Sequence, residues 1–353
     1  MKILVIQQKM IGDVLTSSIL FEFLRKKYPN AQLDYLINSN THPVVEGNPF
    51  IDNFIFFSKE AKTSTRGLLK LATQIRSSKY DILIDVYSKL SSNIITIFSG
   101  AKSKITYYKP YSAWIYDHNI RRKTVTDSKA GLAILNRLQL LKPLNIEVKP
   151  SQPKIYLTKN EITTSKKFLK SKGVDFNLPL YMIGVLGSGE NKTYPLNYMS
   201  KVIDLIVKIK KAQILFNYIP DQRQDAQTIL EMCQKPAQQM IHFEVFGKNL
   251  REFLAITSHC KALIGNEGGA INMAKALNIP TFAIFSPWID KATWSVFETD
   301  NKNMSVHLKD FKPELYKDRS EKEMKPKAGE LYDKFPPQLF EKKLTLFLKQ
   351  LDD

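Results

Sequence analysis

Along most of its length the chain alternates short apolar runs with segments in which apolar residues recur at the helical period. Residues 2–7 form the first apolar run, residues 13–28 form a helix-period segment, and residues 32–37 form the next apolar run. Parallel strands need a long crossover between them, and a helix is the usual one. The repeated alternation therefore predicts an α/β fold whose parallel sheets are covered by helices on both faces.

The alternation occurs in two series, with a break in the middle of the chain. A length of 353 residues is long for one hydrophobic core, and the prolines within residues 142–153 suit an extended connection. We expect one Rossmann-like domain over residues 1–150 and a second over residues 151–335. Residues 336–353 carry apolar residues at helical spacing and predict a closing amphipathic helix, for which packing back onto the first domain is one option.

The charge balance is strongly basic. Lysines and arginines number 52 against 34 acidic residues, which gives a formal net charge of +18. Such an excess favours a polyanionic partner, namely a nucleic acid, an anionic membrane surface or a phosphorylated substrate, although a lysine-rich surface alone would also produce it.

Other features of the composition favour a cytoplasmic protein. No apolar stretch approaches the roughly 20 residues of a membrane-spanning helix, and the apolar N-terminus is too short for a signal peptide. Cys233 and Cys260 lack partners at metal-ligand spacing, so we expect structural thiols in a reducing compartment and no metal.

Two glycine-containing loops in the second half of the chain suit phosphate. The first follows the apolar run at residues 181–186, and its candidate donor-binding residues are Ser188, Gly189, Lys192 and Thr193. Its glycines expose backbone N–H groups, its hydroxyls add donors and its lysine adds a mobile positive charge. The spacing is neither a Walker motif nor GxGxxG, and a flexible glycine turn with a surface lysine is the alternative.

The second loop joins the apolar run at residues 262–265 to a helix-period segment of small residues. Its candidate residues are Asn266, Glu267, Gly268, Gly269 and Asn272. The free N–H groups at the start of a helix carry partial positive charge, so a diphosphate could rest on them. Alternatively, Glu267 caps that helix and Asn272 is an ordinary polar position in its first turn.

The loop after the first apolar run holds Gly12 and Asp13. Open α/β sheets bind ligands beyond the carboxyl ends of their strands, so this pair is expected at a ligand-binding edge. Gly12 would allow a tight turn or a close approach to a ligand. Asp13 has an alternative role as an N-terminal helix cap.

Residues 102–123, here called the basic–aromatic segment, mix cations with tyrosines and Trp114. Its cations are Lys102, Lys104, Lys109, Arg121, Arg122 and Lys123. Such a mixture can hold a phosphorylated glycolipid at a membrane surface, with rings at the interface and cations on the head groups. It also suits single-stranded nucleic acid, or an exposed loop with partly buried tyrosines. Because no RNP, KH or helix-turn-helix signature accompanies it, we do not expect nucleic acid as a partner.

In its motifs and their order the chain resembles glycosyltransferase family 9, which contains the ADP-heptose:lipopolysaccharide heptosyltransferases. The resemblance extends over nearly the whole chain. The stretches that carry it are residues 2–6 with Ile11-Gly12-Asp13-Val14, residues 48–52, residues 81–85 with Ser99-Gly100-Ala101, and residues 250–255 with Gly265-Asn266-Glu267-Gly268-Gly269 and Phe285-Ser286-Pro287. The resemblance implies a GT-B fold, with two facing Rossmann-like domains and the active site between them, and an inverting, metal-independent sugar transfer.

The resemblance also implies roles for the candidate residues. The first domain would bind the acceptor and the second the donor nucleotide. Asp13 would be the general base that takes the proton of the acceptor hydroxyl. Lys192 would neutralise the departing nucleoside diphosphate, assisted by Ser188 and the N–H groups near Gly268 and Gly269.

The partners implied by the resemblance are all anionic. No cofactor is implied beyond a nucleotide-sugar donor, which is expected to be ADP-linked. The acceptor would be a phosphorylated glycolipid such as a lipopolysaccharide-core precursor. The protein would be a cytoplasmic monomer, peripheral on the anionic inner-membrane surface.

Three positions of the second loop depart from the family's usual pattern. The family usually has aspartate, then serine or threonine, and histidine where this chain has Glu267, Gly268 and Asn272. The identity of the sugar therefore stays open, and a donor with another nucleotide, such as a UDP-sugar, is an alternative. A non-catalytic nucleotide- or nucleic-acid-binding protein is the rival from a different class.

Overall fold

The computed structural model describes residues 1–126, 128–299, 301–317 and 319–351, apart from the side chain of Ala292. The chain forms two compact units, Met1–Tyr156 and Leu157–Asp353. The division falls close to the predicted boundary at residues 150–151. The last two residues of the predicted closing segment, 352 and 353, lie outside the described residues.

The first unit contains one sheet of parallel strands. The strands are β1 (Lys2–Ile6), β2 (Gln32–Ile37), β3 (Asn53–Phe56), β4 (Ile82–Asp85), β5 (Ser103–Tyr107) and β6 (His118–Ile120). The helices are α1 (Ile11–Ser17), α2 (Ile19–Lys27), α3 (Lys59–Thr63), α4 (Thr65–Ser77), α5 (Leu90–Phe98) and α6 (Leu132–Gln139). The strand order β3-β2-β1-β4-β5-β6 reverses direction between β1 and β4, which is where such sheets open a crevice at their carboxyl edge.

The single helix predicted over residues 13–28 is two helices, α1 and α2, which meet at Ser18. Hydroxyl groups along α1 donate to carbonyls of the preceding turn: Thr16 to Gly12 at 2.6 Å, Ser17 to Asp13 at 2.7 Å and Ser18 to Leu15 at 2.7 Å. Such bonds compete with the helical pattern and bend helices. The polar run from Thr16 to Ser18 therefore explains the break.

The second unit also contains one parallel sheet. Its strands are β7 (Leu180–Gly184), β8 (Gln213–Phe216), β9 (Ala262–Asn266), β10 (Thr281–Ile284) and β11 (Asn303–Val306), in the order β11-β10-β9-β7-β8. The helices are α7 (Lys159–Ser171), α8 (Leu196–Lys210), α9 (Arg223–Met232), α10 (Lys235–Met240), α11 (Leu250–Thr257), α12 (Gly269–Ala276), α13 (Lys291–Trp294), α14 (Glu321–Met324), α15 (Ala328–Asp333) and α16 (Glu341–Gln350). Here the reversal lies between β7 and β9.

Aromatic side chains fix the C-terminal segment to this sheet. Phe347 of α16 lies 5.6 Å from Phe282 of β10, measured between ring centroids, and the ring of Phe340 lies 5.4 Å from that of Phe335. The hydroxyl of Tyr194 donates to the backbone carbonyl of Phe335 at 2.6 Å. The described part of the closing helix thus belongs to the core of the second unit. Packing onto the first unit stays a prediction.

Lys275 of α12 is a buried cation in the second unit. Its Nζ donates to the carbonyl of Val296 at 2.7 Å, and burial lowers its pKa to about 8 against the opposing effect of Glu298 and Glu267. A lysine whose pKa is lower in the folded protein loses its proton there first, so the unfolded state binds more protons between pH 8 and the ordinary pKa of 10.5. The contribution of Lys275 to stability therefore rises with pH across that window.

We predict that the difference in free energy of unfolding between the wild-type protein and the Lys275→Met variant shifts by about 2 kcal/mol in favour of the wild type between about pH 7.5 and about pH 9.5. Burial raises the pKa of the Cys233 and Cys260 thiols, whose pH-dependent contributions overlap this range and are equal in both proteins, so the comparison isolates Lys275. Urea titrations at a series of pH values measure both slopes. Equal slopes for the two proteins would show that Lys275 is not the group responsible.

Candidate active site

The carboxyl edge of the first sheet brings Asp13 to the start of α1. Asp13 is the third residue of that helix, and one of its oxygens, Oδ2, accepts a long 3.4 Å bond from the backbone N–H of Met10. Gly12 lies in the first turn of the same helix, so the tight turn predicted for it is wrong, while its close approach to a ligand stays a prediction. The helix-cap alternative for Asp13 accounts for only this one weak contact.

A buried arginine holds the other oxygen of Asp13. Arg137 of α6 donates from Nη2 to Asp13 Oδ1 at 2.6 Å, from Nε to the hydroxyl of Ser17 at 2.8 Å and from Nη1 to the carbonyl of Ala133 at 2.8 Å. The arginine side chain is 9% exposed, and that of Asp13 is 29% exposed. A guanidinium anchored on three sides fixes the carboxylate through one oxygen and leaves Oδ2 nearly free.

A second carboxylate and two tyrosines surround this pair. Asp85 is buried, and its oxygens accept from the backbone N–H of Ser88 at 2.7 Å and from the Tyr116 hydroxyl at 2.6 Å. Burial raises the pKa of Asp85, and it also raises the pKa of Tyr87 and Tyr107, for which the charges of Asp13 and Asp85 act in the same direction. Asp85 is occupied by internal bonds, whereas Asp13 keeps an accessible oxygen.

In the second unit, residues 187–195, here called the Lys192 loop, follow β7. Internal bonds fold this loop back on itself. The Thr193 hydroxyl donates to the carbonyl of Gly189 at 2.9 Å and accepts from the N–H of Gly187 at 3.1 Å. A Cβ at Gly187 would collide with the backbone carbonyl of Lys192, so the loop closes only with glycine there. The sequence predicts that the Thr193 hydroxyl donates to the ligand, but in the structure it donates within the loop and shapes it.

The tip of the Lys192 loop is tied to the segment after β10. The carbonyl of Asn191 accepts from the Ser286 hydroxyl at 2.7 Å and from the Trp288 indole N–H at 2.8 Å. The half-buried Lys192 places its Nζ 5.6 Å from the centre of the Trp288 ring. The neighbouring Ser188 and Gly189 are exposed. The loop thus presents an ammonium group and exposed donors on a fixed base.

Residues 266–269, here called the Glu267 loop, run from the last residue of the adjacent strand β9 to the first residue of α12. Asn266 is buried, with its amide donating to Gly184 O at 2.9 Å and its Oδ1 accepting from Tyr194 N at 2.7 Å. Both bonds are internal, so the side chain of Asn266 joins the two loops. The prediction that it binds the donor nucleotide is not supported, because both of its polar atoms are already used. Gly268 and Gly269 open α12, whose first turn has no side-chain cap. The N–H groups of that turn are available to an anion.

Glu267 carries an unsatisfied carboxylate oxygen between these loops. Within the described residues, its Oε2 is buried and has no hydrogen-bond partner. Burial raises the pKa of Glu267, and the charges of Lys192 and Lys275 oppose that shift. Asn272 lies partly buried in the first turn of α12, its N–H bonded to the Gly268 carbonyl at 3.3 Å. A ligand hydroxyl would satisfy the free oxygen of Glu267.

An open pocket of about 580 Å³ adjoins the Lys192 loop. Gly187, Gly189, Thr193 and Gln222 line it, and the Gln222 amide donates to the Gly187 carbonyl at 2.8 Å. No group of histidine, cysteine or acidic side chains able to hold a metal ion occurs in the part of the chain that the structure describes. The described residues also include no helix long and apolar enough to cross a bilayer.

The basic–aromatic segment is divided between the two edges of the first sheet. Arg121 and Arg122 follow β6 at the carboxyl edge, stacked 5.1 Å above the Tyr108 ring and 4.0 Å above the Tyr107 ring. Lys123 is exposed beside them, and Lys109 follows β5 and donates to the Ser88 carbonyl. Lys102 precedes β5 at the amino edge of the sheet and pairs with Asp81 at 2.8 Å. The prediction that it lies with the other cations of the segment is therefore wrong. Lys104, near the same end of β5, bonds through its backbone N–H to Asp117.

Two residues of the site were not among the sequence candidates. Arg137 could have been noticed as a lone arginine within the apolar segment that becomes α6, and Trp288 as the ring that follows the Ser286-Pro287 pair. Neither signal shows which residue each side chain contacts, because the partners lie far away in sequence. Asp13 and Arg137, for example, are 124 positions apart.

Comparisons with known proteins identify the family of the chain. Residues 68–325 match the family described as glycosyltransferase family 9 (heptosyltransferase). The chain is similar to lipopolysaccharide heptosyltransferase 3 of Escherichia coli, with 24% identity over 78% of this chain and 80% of that protein.

Two solved structures share the fold. One is a family 9 glycosyl transferase from Veillonella parvula, with a TM-score of 0.74, 19% identity and coverage of 94% of this chain and 97% of that one. The other is the E. coli ADP-heptose lps heptosyltransferase II, with a TM-score of 0.69, 17% identity and coverage of 95% of this chain and 99% of that one. The predicted α/β fold of the GT-B type is confirmed. By its family match, the chain is a glycosyltransferase and belongs to glycosyltransferase family 9, the heptosyltransferase family.

Proposed function

We propose that this protein is an inverting, metal-independent heptosyltransferase that moves heptose from an ADP-sugar to a phosphorylated lipopolysaccharide-core glycolipid. The observation that carries the proposal is the meeting of Lys192, the unsatisfied Glu267 carboxyl and the uncapped start of α12 beyond the adjacent strands β7 and β9. Cation, N–H donors and carboxyl are what a nucleoside diphosphate linked to a hydroxylated sugar requires. The relatives named above, one of them an ADP-heptose enzyme, support the same donor.

In this mechanism Asp13 is the general base. Its Oδ1 is held by Arg137, and Oδ2 takes the proton of the acceptor hydroxyl as that oxygen attacks the anomeric carbon. The new glycosidic C–O bond forms on one face of the sugar while the bond to the donor phosphate breaks on the other. Direct displacement inverts the anomeric configuration. Arg137 is a positioning residue, since it acts only through Asp13.

The leaving group is a nucleoside diphosphate, which gains negative charge as its bond to the sugar breaks. Lys192 and the N–H groups of Gly268 and Gly269 stabilise that charge, with the exposed Ser188 hydroxyl as a further donor. Glu267 accepts a hydrogen bond from a sugar hydroxyl through Oε2. Glutamate is one methylene longer than the family's usual aspartate, so this contact lies further from the backbone of the loop.

Calorimetry with ADP, UDP, GDP and their sugars tests the donor assignment. We expect ADP and ADP-heptose to bind with the highest affinity. Preferential binding of a UDP-sugar would replace ADP-heptose by the alternative donor. Absence of all nucleotide binding, combined with salt-dependent RNA binding, would favour the non-catalytic rival.

The basic–aromatic segment is proposed to hold the protein on the anionic membrane that presents the acceptor. Arg121, Arg122 and Lys123 are exposed beyond the end of β6, and Trp114 of the same segment is 75% exposed. Exposed cations add about 1 kcal/mol each to binding of an anionic surface, and an exposed tryptophan favours the interface.

Reversing Arg121, Arg122 and Lys123 to glutamate is therefore expected to weaken binding to phosphatidylglycerol vesicles about 100-fold. Vesicle sedimentation at fixed ionic strength measures the change. The matched control reverses Lys201, Lys208 and Lys211, which are equally exposed on the second unit and change the net charge by the same amount. Equal loss of binding in both triple variants would show a nonspecific charge effect and contradict docking through this segment.

A further inference from the structure

Residues 320–335, here called the late segment, pack against the Lys192 loop. The segment contains α14 and α15, and its apolar side chains lie in the hydrophobic core of the second unit. Near its end, the carbonyl of Phe335 accepts from the Tyr194 hydroxyl of the loop at 2.6 Å. Near its start, Glu321 accepts through Oε1 from the backbone N–H of Asp290 at 2.7 Å. The late segment is therefore anchored both to the loop and to the chain after β10, to which the loop tip is itself tied.

Between these anchors, the late segment brings a second ammonium group to the ring of Trp288. The Nζ of the exposed Lys325 lies 5.1 Å from the centre of that ring, and the Nζ of Lys192 lies 5.6 Å from the same centre. The two ammonium groups are thus no further apart than the sum of these distances. The indole N–H donates to the carbonyl of Asn191, which fixes the shared ring at the loop tip.

In the part of the chain that the structure describes, neither of these two lysines has an ion-pair partner. The acidic residues that precede Lys325 in α14 have other contacts. Glu321 accepts from Asp290, and Glu323 accepts from the backbone N–H and the hydroxyl of Ser320, both at 2.7 Å. Like charges repel, and contact with one aromatic ring offsets only part of that cost. Two unpaired cations at one ring therefore indicate a ligand with more than one negative charge.

The donor of the proposed reaction has this property. A nucleoside diphosphate carries more than one negative charge, and it gains a further one as its bond to the sugar breaks. The ammonium group of Lys192 and the N–H groups at the start of α12 balance only part of that charge. We propose that Lys325 is a second diphosphate-binding lysine of the donor site, an inference that rests on the transferase function above.

A structural role is the alternative, in which Lys325 only covers the Trp288 ring with its methylene groups. Lys325→Met separates the two roles, because methionine keeps an unbranched side chain that packs well on aromatic rings and carries no charge. Lys325→Arg keeps the charge. Lys322→Met is the matched control, since Lys322 is also exposed in the late segment and its replacement changes the net charge by the same amount.

Calorimetry of ADP and adenosine binding to the full chain tests the inference. Lys325→Met should weaken ADP binding about 10-fold and change the adenosine affinity less than about twofold, because adenosine lacks the diphosphate. Lys325→Arg should keep the ADP affinity within about threefold of wild type, and Lys322→Met should leave it unchanged. UDP and uridine replace the two probes if the wild-type protein prefers them.

Unchanged ADP affinity in Lys325→Met would overturn the inference. An equal loss in Lys322→Met would do the same by showing a nonspecific charge effect, and an equal loss for adenosine or in Lys325→Arg would show a packing role instead. A wild-type protein that binds no nucleoside diphosphate would contradict the transferase function as well. These titrations need no acceptor and no turnover, so a failure confined to the Lys325 variants rejects only the second lysine.

Discussion

Replacing Asp13 with asparagine is expected to lower kcat for sugar transfer about 1,000-fold, while the nucleotide Kd changes by less than about twofold. Asparagine keeps the size of the side chain and its contact with Arg137 but cannot accept the hydroxyl proton. The transfer rate should stay low even at saturating acceptor, because the base acts in the chemical step. Single-turnover transfer measured with saturating donor gives this rate directly.

The same change removes the charge partner of a buried arginine, so a fall in stability of about 2 kcal/mol accompanies it. Asp52→Asn controls for this effect. Asp52 pairs with Arg25 at 2.7 Å and also accepts from the backbone N–H of Leu33, away from α1. That variant should lose stability and keep its kcat. Full activity of the Asp13 variant would exclude Asp13 as the base.

Replacing Lys192 with alanine is expected to lower kcat/KM about 100-fold or more. Its ammonium group lies 5.6 Å from the centre of the Trp288 ring, at the loop tip that Asn191 ties to Ser286 and Trp288. The leaving diphosphate carries more charge in the transition state than in the bound donor, so the loss should exceed the loss of ground-state ADP affinity. Calorimetry and steady-state kinetics on the same variant separate the two effects.

Lys201→Ala is the matched control for this variant. Lys201 also lies over an aromatic ring, 5.7 Å from the centre of Tyr198, but it is exposed on α8. Its removal should leave ADP binding and kcat/KM unchanged. A Lys192 variant with undiminished kcat/KM would remove this residue from the mechanism.

Most of the fold could be predicted because the buried strands are almost purely apolar. Residues 2–6, 32–37 and 262–266 form strands within a residue or so of the predicted limits. Two edge strands escaped prediction. β6 is short and begins with His118 and Asn119, and β11 alternates the buried polar Asn303 and Ser305 with apolar residues. Asn303 is satisfied by the Thr281 hydroxyl at 3.0 Å, a partner that only the folded sheet supplies.

The candidate site was partly predictable for the same reason. Lys192, Glu267 and the glycines of their two loops follow strand ends, where local sequence alone places them. Asn266 and Thr193 look equally suited to a ligand in the sequence, but their polar atoms are used inside the fold. The role of Arg137 depends on contacts between distant segments. No spacing rule reveals such contacts.

The most direct test of the central claim is a transfer assay with ADP-heptose and a lipopolysaccharide-core acceptor, read by mass spectrometry and by NMR of the new anomeric centre. The account predicts an acceptor extended by one heptose, with the anomeric configuration of the donor inverted, in the presence of a metal chelator. Extension with retained configuration, or no extension with any ADP-linked sugar, would contradict it.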